Sequence, residues 1–186
     1  MSKKRLNFKI IVIGDGGVGK TSLIQQFTKG SFQKDYIKTV GAQFSMHNKL
    51  INGFNIRLIF WDIAGQNDFN FLRPTFYKDC NGAIIVYSLE QNNLGYRSFE
   101  NIRKWYEDIL KFCRKIPTVL LANKVDLIEE HNLNKNEIKE VVDKNSFLGY
   151  HITSAKTSQG VIDAFDALID FLFHAYQSNL PSVIEK

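Results

Sequence analysis

The residues Gly14-Asp15-Gly16-Gly17-Val18-Gly19-Lys20-Thr21 carry the first chemistry legible in this chain. They fit the spacing G-x-x-x-x-G-K-[ST], after the apolar run Ile10-Ile11-Val12-Ile13 and before the helical pattern Ser22-Leu23-Ile24-Gln25-Gln26-Phe27. Glycines let the backbone curl until several N–H groups point inward at one polyphosphate, at the positive end of the helix that follows. The candidate cradle runs from Asp15 through Gly16, Gly17, Val18 and Gly19 to Ser22. Lys20 adds a point charge on the β- and γ-phosphates, and the Thr21 hydroxyl is suited to ligate Mg²⁺.

Three more loops follow apolar strands, and ligands of parallel sheets sit beyond the carboxyl ends of the strands. In Trp61-Asp62-Ile63-Ala64-Gly65-Gln66, Asp62 suits a Mg²⁺-bound water, the Gly65 N–H a γ-phosphate and the Gln66 amide an attacking water. In Asn123-Lys124-Val125-Asp126, the Asp126 carboxylate can accept from the N1–H and N2–H₂ of guanine, a donor pair that adenine lacks. Asn123 can tie this loop to the phosphate loop, while the Lys124 stem packs over the ribose. In Thr153-Ser154-Ala155-Lys156, the Ala155 N–H can meet guanine O6 and the Ser154 hydroxyl can hold Asp126. Together the loops describe a site for GTP or GDP with Mg²⁺.

The elements that must position these loops alternate along the chain. Residues 8–13 read as a buried strand and 20–28 as the helix it feeds, followed by an irregular loop over 29–38 carrying Phe32 and Tyr36. Strand-like runs at 39–50 and 54–62 meet at Asn52-Gly53, a hairpin signal that makes this pair antiparallel. Residues 62–72 read as a polar turn leading into a short helix, stopped near Arg73-Pro74. Residues 82–89 read as a central strand, apolar on both faces. Phe99, Ile102, Trp105/Tyr106, Ile109 and Cys113 recur at helical spacing, which predicts one helix over 97–112. Pro117 opens a strand at 118–122, and Asn134 with Glu137 resembles a capping box for a helix over 135–142. A short strand at 150–152 and an amphipathic helix over 160–176 complete the pattern. Alternating strands and helices predict an α/β fold with a mostly parallel sheet covered on both faces. The expected organisation is a basic extension (1–7), one nucleotide-binding domain (8–177) and a short tail (178–186).

Composition narrows the function classes. With 186 residues and 44% hydrophobic content, one domain with a sizeable core is expected. No apolar run approaches the ~20 residues of a membrane span. Lys3-Lys4-Arg5 is followed by no long apolar segment, and Ser2 stands where N-myristoylation requires glycine. Cys80 and Cys113 have neither metal-like spacing nor a disulfide framework, which fits a reducing, cytoplasmic setting, extending to the cytosolic face of membranes. The net charge of +5 comes without a basic stripe interleaved with aromatics, so nucleic acid is not an expected partner. The excess reads as a solubilising surface and counter-charge for an anionic ligand.

The set GDGGVGKT, Thr39, WDIAGQ, NKVD and TSAK resembles the Ras superfamily of small GTPases over nearly the whole chain. Within it the chain is most similar to the Rab family. Val40-Gly41-Ala42-Gln43-Phe44 follows the switch threonine, Trp61 precedes the D-x-x-G-Q motif, and Phe76-Tyr77 sit where Rabs carry paired tyrosines. The resemblance implies the P-loop NTPase fold of small G proteins: a six-stranded, mostly parallel sheet with one antiparallel strand and five helices on both faces. It implies that Thr39 holds Mg²⁺ and γ-phosphate in the GTP state, giving Thr21, Thr39 and Asp62 as the metal set. Phe32 would lie against the guanine, Tyr36 would join the nucleotide-binding residues, and 62–77 would form the second switch. The implied catalytic set is Gln66, Lys20, Thr39 and Gly65.

The implied activity is slow hydrolysis of GTP to GDP and phosphate by a monomeric switch in trafficking or signalling. Its implied partners are an exchange factor, an activating protein and effectors that read the switches and Phe44, Trp61 and Phe76. Gly16 leaves room for the water or for an arginine supplied in trans, and Arg73 reads as an ordinary surface arginine. The competing reading is a GTP/GDP-binding module with negligible hydrolysis; Gln66, Thr39 and Gly16 count against it. An ATP-dependent kinase gives no reason for Asn123-Lys124-Val125-Asp126. The chain departs from Rabs at Gln66-Asn67-Asp68-Phe69, at Ser88 where aspartate is usual, and at Lys78-Asp79-Cys80 in place of Arg-Gly-Ala. Ser182-Val183-Ile184-Glu185-Lys186 lacks the cysteines that Rabs prenylate, so contact with membrane is left open.

Overall fold

The alternation in β1 (Arg5–Ile13) sets the layering of the molecule, because successive strand side chains point to opposite faces. Leu6, Phe8, Ile10 and Val12 enter one buried cluster, and Ile11 and Ile13 enter the other. The structure is a computed structural model that describes residues 4–33, 39–65 and 73–178. Its sheet adds β2 (Ala42–Ile51), β3 (Phe54–Ile63), β4 (Gly82–Ser88), β5 (Thr118–Asn123) and β6 (Gly149–Thr153), in the order β2-β3-β1-β4-β5-β6. Every pairing is parallel except β2 with β3, whose hairpin turns at Asn52-Gly53 as the sequence predicts.

One face of the sheet is covered by α1 (Lys20–Lys29) and α6 (Val161–Ser178), whose apolar stripes pack against it. Phe165 of α6 is fully buried there, stacked on Phe27 at 4.5 Å and edge-on to Phe60 at 5.3 Å. The other face is covered by α2 (Arg73–Tyr77), α3 (Asn93–Glu100), α4 (Ile102–Cys113) and α5 (Lys135–Asn145). Because β1, β3, β4, β5 and β6 run parallel, their carboxyl ends share one edge, and the loops after β1, β3, β5 and β6 gather there.

One expectation needs correction. The helix expected over 97–112 begins earlier, capped by Asn92, whose side chain accepts from the Gly95 N–H at 3.1 Å. It is also interrupted at Asn101, whose N–H is shared between the Arg97 and Phe99 carbonyls, so it divides into α3 and α4. Counted as one broken helix, it leaves five helices among the described residues, as the resemblance implies. Arg73 and Pro74 lie within α2, and the short helix expected to stop near them falls on 66–72, outside the described residues.

The end of β1 shows why the phosphate loop needs glycine. Gly14 has φ +139°, and a Cβ there would lie 2.1 Å from the Val86 carbonyl oxygen of β4. No side chain fits where the loop leaves the sheet.

Phe165→Ala is expected to lower unfolding stability by about 3–5 kcal/mol in urea titration, because it empties the centre of the aromatic cluster. Phe171→Ala, at a 43% exposed position on the same helix, is expected to cost under about 1 kcal/mol.

Candidate functional site

The gathered loops enclose a cavity of about 700 Å³ lined by, among others, Gly16, Gly17, Gly19, Lys20, Thr21 and Ser22 on one side. Phe32, Thr39 and Gly65 form a second wall, and Asn123, Lys124, Asp126, Ala155 and Lys156 a third. Val40 and Gln43 of the segment after Thr39 also line it, as do Gln25, Gln33 and Leu127, which no motif marks. Tyr36 and Gln66 lie outside the described residues.

Lys20 is only 6% exposed, and its ammonium donates to two backbone carbonyls, Gly14 O at 2.9 Å and Asp15 O at 2.8 Å. No described carboxylate forms an ion pair with it. Burial pulls its pKa down to about 8, against the opposing fields of Asp62 and Asp15. A buried cation without a protein anion is costly unless a ligand supplies the charge. This observation fits a polyphosphate in the cavity.

Beside it, three oxygen-bearing side chains converge. Thr21 Oγ1 donates to Asp62 Oδ2 at 2.5 Å, Thr39 Oγ1 reaches the same oxygen at 3.4 Å, and the two hydroxyls are 3.0 Å apart. Burial pushes the Asp62 carboxyl up, with the Thr21 hydrogen bond and the Lys20 charge opposing it. Its Oδ1 is buried and has no hydrogen-bond partner among the described residues. An all-oxygen set with an orphaned carboxylate oxygen suits a hard cation such as Mg²⁺. Gly65 closes this corner: a Cβ there would lie 2.4 Å from backbone atoms of Gly14, Asp15 and Gly16.

The third wall is bolted to the first. Asn123 Nδ2 donates to Val18 O at 2.8 Å, and Asn123 Oδ1 accepts from Thr153 Oγ1 at 3.2 Å. A Cβ on Gly19 would lie 2.3 Å from Asn123 Nδ2, so glycine makes this contact possible. Ser154 Oγ donates to Asp126 Oδ1 at 2.6 Å, and Lys156 Nζ lies 3.8 Å from Asp126 Oδ2. The Ala155 N–H, expected to face guanine O6, is instead directed to Asn123 Oδ1 at 3.3 Å.

The structure also places charged groups that the motifs do not. The Asp15 side chain turns away from the cavity and accepts from Asn101 Nδ2 and Trp105 Nε1, each at 2.8 Å. Only its backbone remains for the cradle. Arg73 is not a surface residue: it is 4% exposed, donates to Asp108 Oδ2 at 2.7 Å and lies over the Trp105 ring at 4.2 Å. Glu90 accepts from Lys124 Nζ at 2.5 Å and from Ser88 Oγ at 2.9 Å. Burial alone would raise the Glu90 carboxyl, but the bonds from Lys124 and Ser88 outweigh it and hold the pKa below the usual range. The only signal for Glu90 in the sequence is Ser88, where an aspartate is usual. Outside the cavity, Phe44, Trp61 and Phe76 form a contiguous patch, with ring centroids 5.9 Å and 5.4 Å apart.

Residues 9–173 match the family model described as Ras family. This chain belongs to the Ras family. It is 36% identical to the Ras-related protein Rab-1 of Theileria parva over 94% of this chain and 80% of that protein. It is 32% identical to the Ras-related protein Rab-32C of Dictyostelium discoideum, over 93% of this chain and 76% of that one. The Ras-related protein Rab-21 of Bos taurus is 34% identical over 86% of this chain and 70% of its own length. These similarities bear out the Rab-like reading within the Ras superfamily, whose members bind guanine nucleotide, generally with Mg²⁺.

Glu90→Gln is expected to loosen Lys124 and speed release of a fluorescent GDP analogue by about 5-fold, the equivalent of about 1 kcal/mol for a charge-assisted hydrogen bond. Arg103→Ala, which removes an exposed pair with Glu107 far from the cavity, is expected to leave the release rate unchanged.

Proposed function

We propose that this Rab-like small GTPase hydrolyses GTP to GDP and phosphate and cycles between two states of its switch segments. The buried Lys20 ammonium, without a protein anion, carries the reading: it fits the β- and γ-phosphates of a nucleotide. The loop N–H groups from Asp15 to Ser22 would cradle the phosphates. Thr21, Thr39 and Asp62 would hold Mg²⁺, which neutralises charge at the phosphates when bound. Asp126, held by Ser154, would accept from guanine N1–H and N2–H₂, between Phe32 and the Lys124 stem. Ala155 and Lys156 would close the base end.

In the reaction, the Gln66 amide would orient a water in line with the γ-phosphorus while Lys20 stabilises charge on the phosphate oxygens. After phosphate leaves, Thr39 and the Gly65 N–H lose their γ-phosphate contacts, and both segments relax. Their state would be read by an exchange factor, an activating protein and effectors. Phe44, 62% exposed and continuous with Trp61 and Phe76, offers effectors an apolar contact. The Rab names of the relatives support a place in trafficking, acting as a monomer at the cytosolic face of a membrane.

Single-turnover release of phosphate from bound GTP with Mg²⁺ tests this. Wild type is expected to release phosphate slowly, and Gln66→Leu at least tenfold more slowly with GTP still bound. Equal rates would remove Gln66 from the mechanism, and no release from either would leave a binding module. Asp126→Asn replaces an acceptor by a donor and is expected to shift preference from guanine towards xanthine nucleotides. An unchanged preference would refute the assignment of the base pocket.

A further inference from the structure

Cys80 and Cys113 take no part in the cavity, yet the fold brings these distant residues together at the end of α2. Cys80 lies in the turn between α2 and β4, and Cys113 is the last residue of α4. Cys113 Sγ donates to the Tyr77 carbonyl at 3.2 Å, the Cys80 N–H donates to the same carbonyl at 3.3 Å, and Cys80 Sγ reaches the Phe76 carbonyl at 3.6 Å. Both thiols are free and half-buried, so each is accessible to a small oxidant. Tyr77 between them is fully buried and stacked on Phe112, which fixes the backbone that both cysteines grip.

Bonds to the successive carbonyls of Phe76 and Tyr77 bring the two sulfurs to one spot. Each thiol bears on the other there, which pushes Cys80 up and Cys113 down. Lys9 favours the anion at both; its ammonium is anchored on Lys78 O at 2.7 Å and lies over the Trp61 ring at 4.9 Å. Cys113 is therefore the nucleophile of the pair and Cys80 the resolving thiol.

We propose that Cys80 and Cys113 form a dithiol modification site that hydrogen peroxide oxidises to a disulfide joining the end of α2 to the end of α4. The Cys113 thiolate attacks one peroxide oxygen; the O–O bond breaks, hydroxide leaves, and Cys113 becomes a sulfenic acid. The Cys80 sulfur then attacks the Cys113 sulfur; the S–O bond breaks, and the departing hydroxide takes the Cys80 proton. The two sulfurs together lose two electrons; the first hydroxide takes up the proton that Cys113 released on ionising, so one peroxide becomes two waters. Thiols held on successive carbonyls of one turn have only a short approach to bonding distance. The bond would fix the end of α2 against the end of α4, and because Cys80 Sγ meets the Phe76 carbonyl, oxidation reaches the aromatic patch through the backbone of Phe76. Cytoplasmic dithiols would reverse it.

The test uses the full chain in its nucleotide-bound form, treated with hydrogen peroxide under native conditions. Intact mass is expected to fall by two hydrogens per chain, with a Cys80–Cys113 linked peptide after digestion and recovery on treatment with dithiothreitol. In Cys80→Ser, a dimedone adduct is expected at Cys113; in Cys113→Ser, adduct formation at Cys80 is expected to be at least tenfold slower. Two thiols still free in wild type, oxygen gained at both cysteines without a link, or links only between chains would each overturn the proposal. The wild-type peptide map decides it even if a variant folds poorly, and no readout depends on GTP hydrolysis.

Discussion

A lysine ammonium held off water by the loop it belongs to is the constraint on which the rest of the site depends. Lys20 reaches back to Gly14 O and Asp15 O, so the cation braces the curl of its own loop while keeping one side towards the cavity. Carbonyl dipoles offset part of its desolvation but bring no net negative charge, and burial still pulls its pKa down to about 8. A polyphosphate would supply what is missing. The glycines at 14, 19 and 65 follow from the same constraint, because each admits a backbone or side-chain atom where a Cβ would stand.

The loop is also held from outside. Asn123 pins Val18 from the base side, while Asn101 and Trp105 pin the Asp15 carboxylate from α4. Trp105 carries a second load, since Arg73 of α2 lies on its face and is ion-paired with Asp108 one turn along α4. Through Trp105, α4 thus contacts both α2 and the loop after β1.

Much of this was legible in the sequence because backbone chemistry imposes it. The G-x-x-x-x-G-K-[ST] spacing, the Asn52-Gly53 hairpin and the Asn134–Glu137 cap are local rules, and the structure shows each in place. The pairings of Asn123 with Val18 and of Ser154 with Asp126 were legible only because several loops after strands share one edge. What escaped depends on tertiary partners. Arg73 looks like any surface arginine until α4 presents Asp108 and Trp105 to it. Asn101 is neutral in a helical pattern, and its break in the helix becomes intelligible only once its amide is seen on Asp15. Glu90 is an acidic loop residue until Lys124, from the next strand end, arrives at its carboxylate.

The most direct test is to strip the protein of nucleotide and titrate it by calorimetry with GDP and with ADP, each with Mg²⁺. If the cavity completes the charge of Lys20 while Asp126 reads the base, GDP binds and ADP binds weaker by roughly 10⁴-fold, the discrimination expected when buried polar groups lose their partners. Equal affinities, or no heat with GDP, would contradict the account.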